Sequence, residues 1–162
     1  MQLVYALGTY PHYGRVFKMT DDEFEQLVDE GFHAISEKFR ALIQNVVIKI
    51  QDEPSESVRK EMGLSENDTL LGLYVGHPLG ERGSHYGVGA TYPDTIYIYK
   101  IPTLEEADGD PERVRKVVAD TVWHEFAHYF GMDEDEVEAK EQKREGTKCA
   151  QSGCWLSYSL VR

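Results

Sequence analysis

Two histidines four residues apart, with a glutamate beside the first, make residues 121–134 the most chemically loaded stretch of this sequence: Thr121-Val122-Trp123-His124-Glu125-Phe126-Ala127-His128-Tyr129-Phe130-Gly131-Met132-Asp133-Glu134. On a helix, residues four apart share a face, so His124 and His128 aim two imidazoles at one point. Neutral imidazole is a good zinc ligand, and a catalytic zinc takes three protein ligands and leaves a fourth position to water. Glu125 is placed to act on that water as general base. Gly131 suits the end of the helix, because glycine tolerates the left-handed conformation common just past a helix terminus. The turn there carries Glu134 back toward the metal as a candidate third ligand. Asp133, Glu136 and Glu138 follow the same turn with the same donor group, and the helix dipole also favours acidic residues at a helix start. The chemistry this pattern points to is zinc-assisted hydrolysis, with a small peptidase as the expected form.

The elements that must hold these residues are readable in part. Asp110-Pro111-Glu112 opens the motif helix, with Asp as N-cap and Pro at the first helical position. Val114, Val117, Val118 and Val122 supply its apolar face. An earlier helix is expected over residues 21–43: Thr20 and Glu23 have capping-box spacing, and Phe24, Leu27, Val28, Phe32, Ile35, Phe39 and Leu42 recur at helical intervals. His33 on this helix reads as a surface residue. Val46-Val47-Ile48-Lys49-Ile50 reads as a strand, and residues 55–63 as a short helix with a serine cap and a closing glycine. Residues 69–75 form an apolar run expected to be a strand buried on both faces. Thr95 to Ile101 alternates aliphatic with Tyr and Lys positions, which predicts a half-exposed strand near a sheet edge. Pro102 to Gly109 reads as a connector, and the acidic run after Gly131 as a further helix. Between the last two strands lies a long glycine-rich loop, residues 76–93, carrying His77 and His85. It has neither a P-loop nor a dinucleotide-binding pattern, and both histidines read as ordinary loop residues.

Composition excludes several function classes. The 162 residues fit a single domain, residues 1–162, and 41% hydrophobic with 11% aromatic content is that of a folded globular chain. A formal charge of −12 disfavours nucleic-acid backbones and anionic lipid, so neither is an expected partner. No segment approaches the ~20 apolar residues of a bilayer span. Residues 1–8 have no basic residue ahead of an apolar run and do not read as a signal peptide, so a cytoplasmic location with reduced Cys149 and Cys154 is expected.

At the histidine motif the chain resembles the small bacterial zincin-like metallopeptidases, a family with H-E-x-x-H-x-x-G-x-x-D. The resemblance extends upstream through Thr69-Leu70-Leu71-Gly72-Leu73-Tyr74, Pro78-Leu79-Gly80-Glu81-Arg82-Gly83 and the strand from Thr95-Ile96, so that about residues 20–138 form the family-like core. Residues 1–19 are then an N-terminal arm and 140–162 a C-terminal extension. The resemblance implies an α+β fold of the minimal zincin type, a small α/β-like domain with a mixed sheet packed against an N-terminal helix and the motif helix. It implies Zn2+ as cofactor, His124, His128 and residue 134 as ligands, and Glu125 as the catalytic glutamate. This chain has Glu134 where the family usually has aspartate. The cysteine pair also resembles part of the archaemetzincin second-zinc run, but two cysteines are too few for that site and plain thiols are expected.

The leading expectation is thus a zinc metallopeptidase acting on a peptide or protein substrate laid along a sheet edge, either Tyr97 to Ile101 or its neighbour. A metal-dependent hydrolase of another class, and a zinc-binding regulatory module without peptidase activity, are the alternatives. Four tyrosines, Tyr86, Tyr92, Tyr129 and Tyr158, are candidate oxyanion stabilisers. Substrate specificity and oligomeric state are not written in the motif.

Overall fold

The computed structural model describes residues 5–6, 19–65, 68–82, 92–141 and 143. In chain order the elements are β1 (Tyr5–Ala6), α1 (Asp21–Ala34), α2 (Glu37–Arg40), β2 (Val46–Gln51), α3 (Glu56–Glu61), β3 (Asp68–Thr69), β4 (Gly72–Val75), a 3-10 turn (Leu79–Glu81), β5 (Asp94–Tyr99), α4 (Lys100–Glu106) and α5 (Pro111–Tyr129). Residues 134–141 are helical again. The fold is α+β: a three-stranded mixed sheet in the order β2-β5-β4, with β5 parallel to β2 and antiparallel to β4. A separate two-stranded pairing joins β1 to β3.

Helices α1 and α5 pack on one face of the sheet. Phe24, Leu27 and Val28 of α1, Val114, Val118, Val122 and Phe126 of α5, and Ile96 and Ile98 of β5 form the main core. The other face carries a smaller cluster, Leu70, Leu73 and Tyr99, on which Val58, Met62 and Tyr97 pack. Successive β5 side chains therefore serve two different cores, as the two-residue repeat of a strand requires.

Four sequence expectations are corrected here. The helix expected over 21–43 stops at Ala34: Ile35 is extended (ψ 133°), and Arg40 Nε donates to the freed Ile35 carbonyl at 2.9 Å. The apolar spacing continues beyond the break, but Phe39 and Leu42 stay largely exposed. Second, β5 is the central strand and not an edge. Its Tyr97 and Tyr99 gave the alternation of a half-solvated strand, yet Tyr99 is fully buried in the second cluster. Third, the chain turns into α4 directly after Tyr99. Pro102 sits in the first turn of that helix, where a missing N–H costs nothing, and Thr103 Oγ1 donates to the Tyr99 carbonyl at 2.7 Å. The run 69–75 is likewise split between β3 and β4, although Thr69 to Leu73 are buried as expected.

Other expectations hold. Thr20 and Glu23 make the complete capping box of α1, and His33 is exposed with its Nδ1 2.8 Å from the Asp29 carbonyl. Among the described residues no helix is long and apolar enough to cross a membrane. Cys149, Cys154, His85, Tyr86 and Tyr158 lie outside the described residues.

Candidate metal centre

Helix α5 begins as its sequence predicts: Asp110 Oδ1 accepts from Glu112 N and Arg113 N at 2.9 and 3.0 Å, with Pro111 in the first turn. It ends in a Schellman motif. Gly131, at φ +86°, lets its own N–H reach the His128 carbonyl at 2.9 Å and Met132 N–H reach the Ala127 carbonyl at 3.1 Å. The helix 134–141 starts immediately afterwards, capped by Asp133 Oδ1, which accepts from Glu136 N at 2.9 Å.

This turn folds Glu134 back over the two histidines. His124, His128 and Glu134 each offer one donor atom to a common point. His124 Nε2 lies 3.0 Å from His128 Nε2 and 3.7 Å from Glu134 Oε1, while His128 Nε2 lies 3.6 Å from Glu134 Oε2. A tetrahedral zinc 2.0–2.1 Å from its ligands spaces them about 3.3 Å apart, so these separations suit such an ion. Both Glu134 oxygens are buried and have no hydrogen-bond partner among the described residues. A buried carboxylate left in that state is costly unless a cation serves it. Two nitrogens and one carboxylate oxygen are a suitable donor set for zinc and leave one position open.

The outer nitrogens of both imidazoles are engaged. His128 Nδ1 lies 3.1 Å from the Met132 carbonyl and His124 Nδ1 lies 3.1 Å from Glu141 Oε1. A carbonyl or carboxylate partner calls for N–H at Nδ1, which presents the Nε2 lone pair inward. The charge states follow from the surroundings. Burial lowers the His128 pKa and His124 lowers it further. Burial also opposes protonation of His124, but the Glu141 hydrogen bond and the carboxylates of Glu125, Glu141 and Glu134 outweigh it and raise that pKa. Glu134 is raised mainly by burial, against the pull of His124.

Glu125 points toward β4 and is almost wholly buried. Burial pushes its carboxyl up to about 7, opposed by His124 and by a hydrogen bond from the Tyr74 backbone. Its Oε2 has no hydrogen-bond partner among the described residues. Gly72 makes this approach possible, since a Cβ there would lie 2.7 Å from Glu125 Oε1 and 2.8 Å from Thr121 Cγ2.

Beside His128 opens a cavity of about 680 Å3, walled by Met62, Tyr74, Pro78 and Met132. Of the candidate oxyanion tyrosines, Tyr129 is buried and committed elsewhere: its Oη takes the Gln44 N–H at 3.0 Å and lies 3.4 Å from Arg82. Tyr92 is exposed at the surface, and so is His77. The alternative third ligands are not part of the cluster. Sequence reasoning missed Glu141, the Met132 carbonyl, Gly72 and the Tyr74 backbone. Only Glu141 carried a signal, standing two helical turns after Glu134.

No curated protein matches the chain. Among known families, the zincin-like metallopeptidases match residues 43–144, a stretch that starts later than the core expected from residue 20 and takes in the β2-β5-β4 sheet, α5 and the helix that follows it. With well over half its length matched, including every candidate ligand, the chain belongs to the zincin-like metallopeptidase family.

Proposed function

We propose that the chain is a zinc-dependent peptidase in which His124, His128 and Glu134 hold the metal and Glu125 is the general base. The observation that carries this reading is the buried carboxylate of Glu134, without a hydrogen-bond partner among the described residues, facing two inward-turned imidazoles, with the second buried carboxylate, Glu125, next in sequence to His124. When bound, zinc supplies Lewis acidity toward the attacking water and the scissile carbonyl. Glu125 takes the proton of that water and passes it to the leaving amine. A carboxyl poised near 7 is suited to both transfers at neutral pH.

The substrate backbone runs along β4. One edge of β4 pairs with β5, and among the described strands none pairs with the other. The hydrogen bond from the Tyr74 backbone to Glu125 puts this strand next to the reacting groups. Main-chain pairing would give affinity with little dependence on sequence, and the cavity beside His128 would take a neighbouring side chain against Met62, Tyr74, Pro78 and Met132. The substrate is therefore an extended peptide segment or an unfolded stretch of protein.

The test separates metal binding from chemistry. Wild-type protein should bind one zinc per chain and cleave members of a diverse peptide library. His124→Ala should lose the metal, and Glu125→Gln should keep it while peptide hydrolysis falls by at least ~10²–10⁴-fold, the usual contribution of general-base catalysis. Zinc-loaded wild type that cleaves no member of the library removes the peptidase reading.

A further inference from the structure

Helix 134–141 does more than deliver Glu134. Residues 134 and 141 are seven apart, which on an α-helix returns to within about 20° of the same face. Val137 lies between them on that face and is fully buried, which fixes the helix against the rest of the domain. Two turns of one helix thus direct two carboxylates at the same histidine from opposite sides of its ring. Glu134 Oε1 lies 3.7 Å from His124 Nε2, and Glu141 Oε1 lies 3.1 Å from His124 Nδ1. The two histidines are held by unlike partners. The Met132 carbonyl that meets His128 is part of the Schellman cap and no side-chain substitution removes it. The partner of His124 is a side chain, and its removal leaves that ring free to take either tautomer or to rotate.

We propose that Glu141 is a positioning residue of the metal centre, holding His124 in the Nδ1–H tautomer so that Nε2 faces the metal. The proposal rests on the reading of His124 as a metal ligand. Glu141 does not touch metal or substrate; it acts through the imidazole, orienting it and making it a stronger donor. The consequence is that zinc affinity depends on helix 134–141 twice, once through a ligand and once through the partner of a ligand.

Two measurements on Glu141→Ala and Glu141→Gln decide it, with Glu138→Ala as a control that removes the same charge from an exposed position of the same helix. The first is zinc affinity by competition with a chromophoric chelator. Glu141→Ala should bind 10–100-fold more weakly than wild type, the usual effect of losing such a partner. Glu138→Ala should stay within about threefold. The second is the tautomer of His124, read from imidazole nitrogen shifts in the metal-free protein at pH 9. Wild type and Glu141→Gln, whose amide oxygen still accepts from Nδ1–H, should show the Nδ1–H form, and Glu141→Ala should shift toward Nε2–H. If Glu141→Ala matches Glu138→Ala in both affinity and tautomer, the proposal is overturned. If wild type takes up no zinc, the metal reading fails by itself, and the tautomer still reports whether Glu141 orients the ring.

Discussion

Glu125 has a measurable effect on stability before any substrate is present. Burial raises its carboxyl from an ordinary value near 4.5 to about 7. Between those values the folded protein holds a proton that the unfolded chain has already released, so stability falls as pH rises through this window. His124 and Glu134, also raised, act in the same direction; His128, lowered, opposes them by losing stability as pH falls below its ordinary value. The metal-free protein should therefore resist urea better at pH 5 than at pH 8. Glu125→Gln should remove on the order of 2–3 kcal/mol of that difference, at ~1.4 kcal/mol per pKa unit; equal pH slopes in the two proteins would count against a protonated, buried Glu125. At this scale the sequence was partly legible. His124, Glu125 and His128 were readable because one regular helix fixes their relative directions. For the third candidate ligand the residue types left Asp133, Glu134, Glu136 and Glu138 open, since the choice depends on φ at Gly131 and on where the next helix starts; spacing and the family resemblance favoured Glu134, which is the residue that joins the cluster. The Tyr74 backbone bond was invisible, since it is made across a strand-to-helix contact between distant residues.

Strand β4 lies against α5 through a position that admits no side chain. At Gly72 a Cβ would meet Glu125 Oε1 at 2.7 Å, Glu125 Cγ at 2.8 Å and Thr121 Cγ2 at 2.8 Å, all on α5. Gly72→Ala must displace the proposed general base or part the strand from the helix. The expected cost is about 1–3 kcal/mol in urea unfolding, as for other overpacked sites. Peptide hydrolysis should fall while zinc affinity stays near wild type, because the atoms nearest the new methyl group belong to Glu125 and Thr121 and not to the three candidate ligands. Loss of zinc together with activity would mean that the strain spreads along the whole helix. Caps were the most legible part of the elements: Thr20, Asp110-Pro111 and Gly131 each mark a boundary by a local rule. Strand order was not. Aromatic residues at alternate positions of β5 suggested a solvated face, and only the packing of Val58 and Met62 against Tyr97 and Tyr99 shows that face to be covered.

At the scale of the molecule, a buried ion pair connects loop, sheet and motif helix. Arg82 and Asp94 form it with side chains only 8% and 4% exposed. Tyr74 Oη donates to the same Asp94 carboxylate at 2.8 Å, and the Arg82 guanidinium lies over the Tyr129 ring at 4.8 Å from its centroid. Arg82 Nε also holds the His77 carbonyl at 2.9 Å. Residues 76–82 are thereby held against the turn that presents Glu134: a Cβ at Gly131 would lie 3.7 Å from Pro78 Cβ and 3.8 Å from Gly80 N. Removing one partner strands a buried charge, so Arg82→Met should cost about 3–5 kcal/mol of unfolding free energy. Arg82→Met combined with Asp94→Asn should cost clearly less, and a double variant as unstable as the single would mean that the pair is not what Arg82 supplies.

The three candidate ligands fall within eleven consecutive residues, 124–134, whereas the parallel pairing of β2 with β5 joins residues as far apart as Val46 and Asp94. The cluster is local and the sheet is not. Closing the short segment around an ion costs about 1 kcal/mol less chain entropy than closing the sheet. If these residues hold zinc as proposed, an unfolded chain with His124 and His128 intact should keep some affinity for the ion. The rise in melting temperature on adding zinc should then be smaller than the affinity of the folded protein alone would give, because the ion would bind both states.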